Sequence, residues 1–215
     1  MTAVAVRADP GRWVRDAKLG LAVTVGAGAG LFVVGDADPL DEMISDSIRT
    51  VPGALLLALA ACGLAVAGGR LLAGVRRALP DSRLLTVLLT LWCVSLLAVA
   101  FFPTNLPGTP PGTVAIVHRW GAGLVAALPP LIALLVADKA GRRAETAQVR
   151  LLRACGLATL AACVAFGAVH GPAALLGTTF GAYAGLAERL LMALVVVVMA
   201  LCCRVIADEE RARWT

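Results

Sequence analysis

Two histidines, His118 and His170, are all that this 215-residue chain contains. Two is the minimum for a bis-histidine haem. Both are expected at one membrane face and no second pair exists, which counts against haem. A zinc or iron centre would need His118, His170 and Glu188 to converge from three separate segments, without the short spacing that marks such sites, and no metal is assigned. The six cysteines, Cys62, Cys93, Cys155, Cys163, Cys202 and Cys203, also lack zinc spacing. All lie in apolar stretches rather than loops where oxidation would be expected, and they read as small packing residues. No G-x-S-x-G turn is present, which counts against serine hydrolysis. The basic residues are scattered over four short segments without an aromatic platform, so nucleic acid is not a partner. The composition calls for no cofactor.

What remains is apolar. Hydrophobic residues make up 60% of the chain and mean hydropathy is +0.87. Six stretches are long enough to cross a bilayer: 17–34, 51–74, 84–102, 113–137, 151–169 and 181–206. At about 1.5 Å rise per residue, about 20 helical residues match about 30 Å of hydrocarbon. The expected fold is all-α: a polytopic membrane protein, a single six-transmembrane-helix bundle over 1–215. Ala27-Gly28-Ala29 resembles a signal-peptide cleavage site, but the apolar run continues through Leu31–Val34 and reads as an uncleaved span.

Sixteen of the 19 Lys and Arg residues fall in the N-terminal segment, the second and fourth connections and the tail, or in the span ends that adjoin them; Arg49, Arg119 and Arg189 are the exceptions. Cytoplasmic segments carry the basic excess, so both termini are expected in the cytoplasm and the protein in the cell membrane, multi-pass. Within the first span, Gly26 and Gly30 form a G-x-x-x-G pair, read first as intramolecular packing and second as a homodimer contact. Pro129-Pro130 should kink the fourth span. The first outer loop has an N-cap and proline in Asp38-Pro39, acids at Asp41 and Glu42, and helical spacing of Leu40, Met43, Ile44 and Ser47/Ile48. It predicts a short amphipathic helix over about 39–49. Its acids lack the glycine and distal glutamate of a calcium loop, and a solvated face is the better reading.

Ionisable side chains that enter a span are costly and mark candidate sites. His118 and Arg119 enter the fourth span, Glu188 and Arg189 the sixth, and His170 closes the fifth. Asp46 and Arg49 stand at the entrance to the second. By the charge argument all seven enter from the outer face, and they are expected to form one ligand-binding network, with Glu188 meeting Arg119. Glu188, His118 and Asp46 are also the candidate catalytic residues. The alternative is structural: the same charges fasten helices together.

These residues recur in a resemblance. Ile44-Ser45-Asp46 before the second span, Phe101-Phe102-Pro103-Thr104 after the third, Val117-His118 in the fourth and Gly185-Leu186-Ala187-Glu188-Arg189-Leu190 in the sixth occur in that order on a six-span frame. From Asp36 to about Ile206 the chain resembles the bacterial membrane proteins grouped as domain of unknown function 998. The resemblance implies an integral membrane protein without an assigned activity. Thr104-Asn105 stand where an acidic residue is expected after Phe-Pro, which counts against a shared outer-face cation site.

The functional expectation is a membrane protein whose outer-face polar pocket binds a lipid or other amphiphilic small molecule. A second reading is an intramembrane enzyme with a buried carboxylic acid as general acid, such as a terpenoid cyclase. A third is a small-solute transporter. It is disfavoured because only Thr24, Thr90, Ser95, Thr159 and the proline pair interrupt the apolar midplane.

Overall fold

Six helices carry the chain in the computed structural model, which describes residues 10–34, 37–105, 112–176 and 181–213. They are α1 (Pro10–Val34), α2 (Val51–Ala78), α3 (Arg83–Phe101), α4 (Thr113–Gly141), α5 (Ala147–Leu176) and α6 (Ala184–Ala212). Each is long and apolar enough to cross a membrane. Among the described residues there is no strand, so the fold is the expected all-α six-helix bundle. Arg7, Gly35 and Asp36, which entered the charge and loop readings, lie outside the described residues.

Consecutive helices pack side by side, and α6 is the hub, touching α1, α2, α4 and α5. Five of the six helices outrun their expected hydrophobic limits. A 28-residue α2 is about 42 Å long, against about 30 Å of hydrocarbon. The surplus is charged end turns such as Arg76 and Arg77, which keep helical hydrogen bonding in the interface. α5 starts early, at Ala147, because Thr146 Oγ1 accepts from Val149 N (3.2 Å) and caps it. α6 starts late, at Ala184, because Tyr183 sits in the left-handed region (φ 62°) and ends the preceding chain direction there.

Small residues set the closest helix approach, but not those of the G-x-x-x-G pair. A Cβ on Gly20 would meet Gly63 O at 2.5 Å, and one on Gly63 would meet Gly20 O at 2.7 Å. Thr24 Oγ1 spans the same crossing, donating to Gly20 O and Ala60 O at 3.0 Å. A Cβ on Gly26 would meet nothing within 4 Å, whereas one on Gly30 would come within 3.1 Å of Leu56 of α2, so of that pair Gly30 alone packs inside the bundle. The closest crossing belongs to Gly20 and Gly63, each with its carbonyl oxygen against the place where the other would carry a Cβ.

The proline pair is handled by a neighbour. α4 continues as one helix through Pro129 and Pro130, both buried. Pro129 has no N–H, so the carbonyl of Val125 four residues back loses its helical donor. Trp92 Nε1, on fully buried Trp92 of α3, donates to that carbonyl at 3.1 Å. The indole thus replaces the missing backbone bond, a substitution of donors that suits a solvent without water.

The first connection departs from expectation. In place of one helix over 39–49, residues 39–41 form a turn and only Ile44–Arg49 is helical, of the 3-10 type. Asp38 Oδ1 accepts from Leu40 N (2.8 Å), a local turn that competes with a helical start at Pro39. Leu40 is exposed, while Met43 and Ser47 are buried against the bundle.

Gly20→Ala forces two backbones apart and should cost about 1–3 kcal/mol, an overpacking penalty. Gly26→Ala, in open space, should be neutral or stabilise by about 0.5–1 kcal/mol through helix propensity. Thermal unfolding of both variants in detergent checks the contrast.

Candidate functional site

Six of the seven candidate residues fall into two contact groups, and among the described residues His170 stands apart from both. In the first, the 38–49 connection and the start of α6 cap each other. Glu188 Oε2 accepts from Ile44 N at 2.6 Å, and Asp46 Oδ2 accepts from Met43 N at 3.0 Å. Two carboxylates therefore answer the first amides of the 3-10 helix, where exposed N–H groups carry partial positive charge. In return, Asp41 Oδ1 accepts from Tyr183 N (2.7 Å) and Leu40 O from Leu186 N (2.9 Å), at the start of α6.

The basic members hold the same clasp. Arg189 Nη1 donates to Pro39 O (3.1 Å) and Glu42 O (2.8 Å), and its guanidinium stacks over Phe32 of α1 at 5.5 Å. Arg49 pairs with Glu42 Oε2 at 2.6 Å and donates from Nε to Asp46 O. Gly185 permits the approach: a Cβ there would meet Glu42 O at 2.2 Å. Gly53 does the same at the start of α2, where a Cβ would meet Ser47 O at 2.1 Å and Thr50 Oγ1 caps Gly53 N.

The second group joins α3 to α4. His118, 3% exposed, bonds through Nδ1 to Phe102 O at 2.7 Å. A carbonyl only accepts, so Nδ1 carries the proton. Arg119 Nη2 donates to Asn105 Oδ1 at 2.9 Å. His170, near the C-terminal end of α5, is buried and its ring lies tilted against Phe166 one turn earlier, centroids 4.9 Å apart. The expected Glu188–Arg119 meeting gives way to Glu188–Ile44 and Arg119–Asn105. A backbone amide at a helix start is fixed in place and cannot leave, whereas a long arginine must be ordered to serve the same oxygen. The four stretches that carried the family resemblance thus meet in pairs: Ile44–Asp46 with Gly185–Leu190, and Phe101–Thr104 with Val117-His118.

The midplane polar residues are internally satisfied. Thr90, Ser95 and Thr159 each donate to the carbonyl four residues back, as Thr24 does. All six cysteines are free thiols. Among the described residues no group of three or more His, Cys, Asp or Glu is placed to hold a metal ion.

A buried carboxylate at the opposite end was missed. Glu210, 6% exposed, accepts from Trp13 Nε1 at 2.6 Å and lies 3.8 Å from Arg77. This joins α1, α2 and α6 at the end that carries residues 10–18 and 204–213. Gly74 makes room, since a Cβ would meet the Trp13 ring at 2.7 Å. The signal was the spacing Met199, Cys202/Cys203, Ile206, Glu210, one buried face carried past the end of the apolar run.

Two titrations act on the clasp with opposite sign. The hydrogen bond from Arg49 holds the Glu42 carboxyl below its ordinary range. Its contribution is complete above the unfolded value and is lost as pH falls through the folded one. Burial pushes Asp46 up, so its charge opposes folding above its folded pKa and the penalty vanishes below the unfolded value of 3.8. Asp46→Asn keeps an oxygen for Met43 N without the charge. Its melting temperature should exceed wild type at neutral pH, and the gap should close as pH falls below 3.8. In a double-mutant cycle, Arg119→Ala and Glu188→Ala should be additive within about 0.5 kcal/mol, whereas each pair drawn from within the clasp should couple.

No curated protein and no solved structure matches the chain. A model of the family described as "Protein of unknown function (DUF998)" matches residues 19–205. With that match over most of its length and six apolar helices arranged as described, the chain belongs to the DUF998 family of membrane proteins.

Proposed function

We propose that the protein binds the apolar chain of an amphiphile in a lateral crevice beside the outer half of α5. The observation that carries this reading is that no side chain of α5 between Thr159 and His170 is buried. A helix packed along its length buries a residue every three or four positions. Leu160, Ala162, Cys163 and Phe166 continue the buried stripe of Thr159 but stay half-exposed, so the bundle face of α5 is only partly covered there. A membrane chain could lie against them, with its polar end toward His170 and the His118–Arg119 group. In this reading Glu188, Arg189, Asp46 and Arg49 shape the outer wall and do not turn over a substrate. Binding is favoured over acid catalysis because Glu188 Oε2 and Asp46 Oδ2 are already committed to backbone amides.

Titration of the full chain in detergent with a neutral monoacylglycerol, followed by native mass spectrometry, tests this. One saturating equivalent is expected, lost in Ala162→Trp, which fills the crevice, while the melting temperature is kept. A non-saturating ladder of adducts that ignores Ala162→Trp would end the reading.

The distribution of basic residues supports an orientation in the cell membrane with both chain ends in the cytoplasm. On a cysteine-free background, Leu40→Cys should react with an impermeant maleimide on intact cells and Arg142→Cys should not. The reverse pattern inverts the topology.

A further inference from the structure

At the end of the bundle that carries residues 10–18 and 204–213, the α2–α3 connection and the ends of α4 and α6 line an open cavity of about 300 Å³. Its charged lining is Lys139, Arg142, Arg143 and Arg213 against Asp81 and Asp138. Arg142 already answers Asp138 (3.0 Å), Arg143 answers Glu209 (2.8 Å) outside the lining, and Arg213 donates to Arg77 O. Lys139 makes no hydrogen bond or ion pair among the described residues. The lining holds four cations against two carboxylates, and among the described residues the Lys139 ammonium and the Asp81 carboxylate are both uncommitted.

Two further features face the same space. Ser82 lines the cavity, is 3% exposed, and its Oγ has no hydrogen-bond partner. Such a buried hydroxyl is costly unless something meets it. Ser82 is also the N-cap of α3, yet no side chain caps that helix start, so its first amides and partial positive charge are left to the site. An adjoining lobe of about 290 Å³ shares Asp81, Ser82, Asp138 and Lys139 with it and adds Arg83 and the apolar Leu84, Leu85 and Leu135.

We propose that this cavity binds a phosphate group, presented by an anionic lipid headgroup or by free phosphate. An open helix start, an unpartnered hydroxyl and a free ammonium are the donors that phosphate oxygens accept from. The volume is that of a small-ligand site. The leucine-lined lobe offers an apolar exit for the glycerol and chains of a lipid, and the basic end of a membrane protein is where anionic headgroups concentrate. The site is separate from the α5 crevice and stands or falls independently of it.

The test uses the purified full chain in detergent and in nanodiscs. Inorganic phosphate should raise the melting temperature saturably where potassium chloride of equal ionic strength does not. Lys139→Gln should weaken that binding about tenfold or more. Ser82→Ala should raise the melting temperature without phosphate, by removing the unpartnered hydroxyl, and still weaken phosphate binding; the first effect without the second overturns the proposal. Phosphatidylglycerol retained at one equivalent by native mass spectrometry, displaced by phosphate and lost in Lys139→Gln, identifies a headgroup as the source. A phosphate response with no retained lipid identifies the free anion. Equal retention of phosphatidylcholine and phosphatidylglycerol with no phosphate response, or responses unchanged in Lys139→Gln, overturns the proposal.

Discussion

A backbone amide at the start of a helix has no partner in its own helix, and beside a membrane water is a poor substitute. The end of the bundle that carries residues 38–49 is organised by that constraint. The 3-10 helix at Ile44–Arg49 and the start of α6 each lack partners for their first N–H groups. Each borrows oxygen from the other: Glu188 serves Ile44, while Asp41 and Leu40 serve Tyr183 and Leu186. The exchange fixes the connection against the hub helix, and with it the entrance of α2. Tyr183 holds a left-handed backbone that costs a non-glycine residue about 1 kcal/mol, and the bonds on either side of it hold it there.

The same accounting of donors and acceptors runs through the apolar interior. Pro129 deprives Val125 O of its donor and Trp92 supplies one; Thr24 ties α1 to α2 through Ala60 O. At the far end Glu210 gathers Trp13 and Arg77. Polar atoms in this protein are few and almost all are spent on holding the helices in place. That is why the exceptions carry functional weight: the half-covered face of α5, and the unpartnered Ser82 beside an uncommitted Lys139.

The number of helices, their class and their membrane character were legible in hydropathy, because a 20-residue apolar run admits little else. That Glu188, Arg189 and His118 need polar partners was also legible, from the cost of placing them in spans. Their partners were not. Charge sign suggests Glu188 with Arg119, but the partner is the amide of Ile44, and backbone donors leave no trace in side-chain chemistry. The loop helix failed for a related reason: Asp38-Pro39 reads as a helix start, and Asp38 Oδ1 turns the chain instead by binding Leu40 N. Gly26 and Gly30 match a motif whose spacing recurs wherever glycine is common, whereas Gly20 and Gly63 lie in different helices and no local pattern links them. Glu210 was hidden by the habit of ending a helix where its hydrophobicity ends.

The central claim is that residues 38–49 and the start of α6 form one mutually capped unit. Amide hydrogen exchange on the full chain in nanodiscs measures it directly. The claim predicts slow exchange at Ile44, Tyr183 and Leu186, and predicts that Glu188→Ala, which removes the acceptor for Ile44 alone, raises exchange at all three together. Fast exchange at these amides in the wild type, or a rise confined to Ile44, would contradict it.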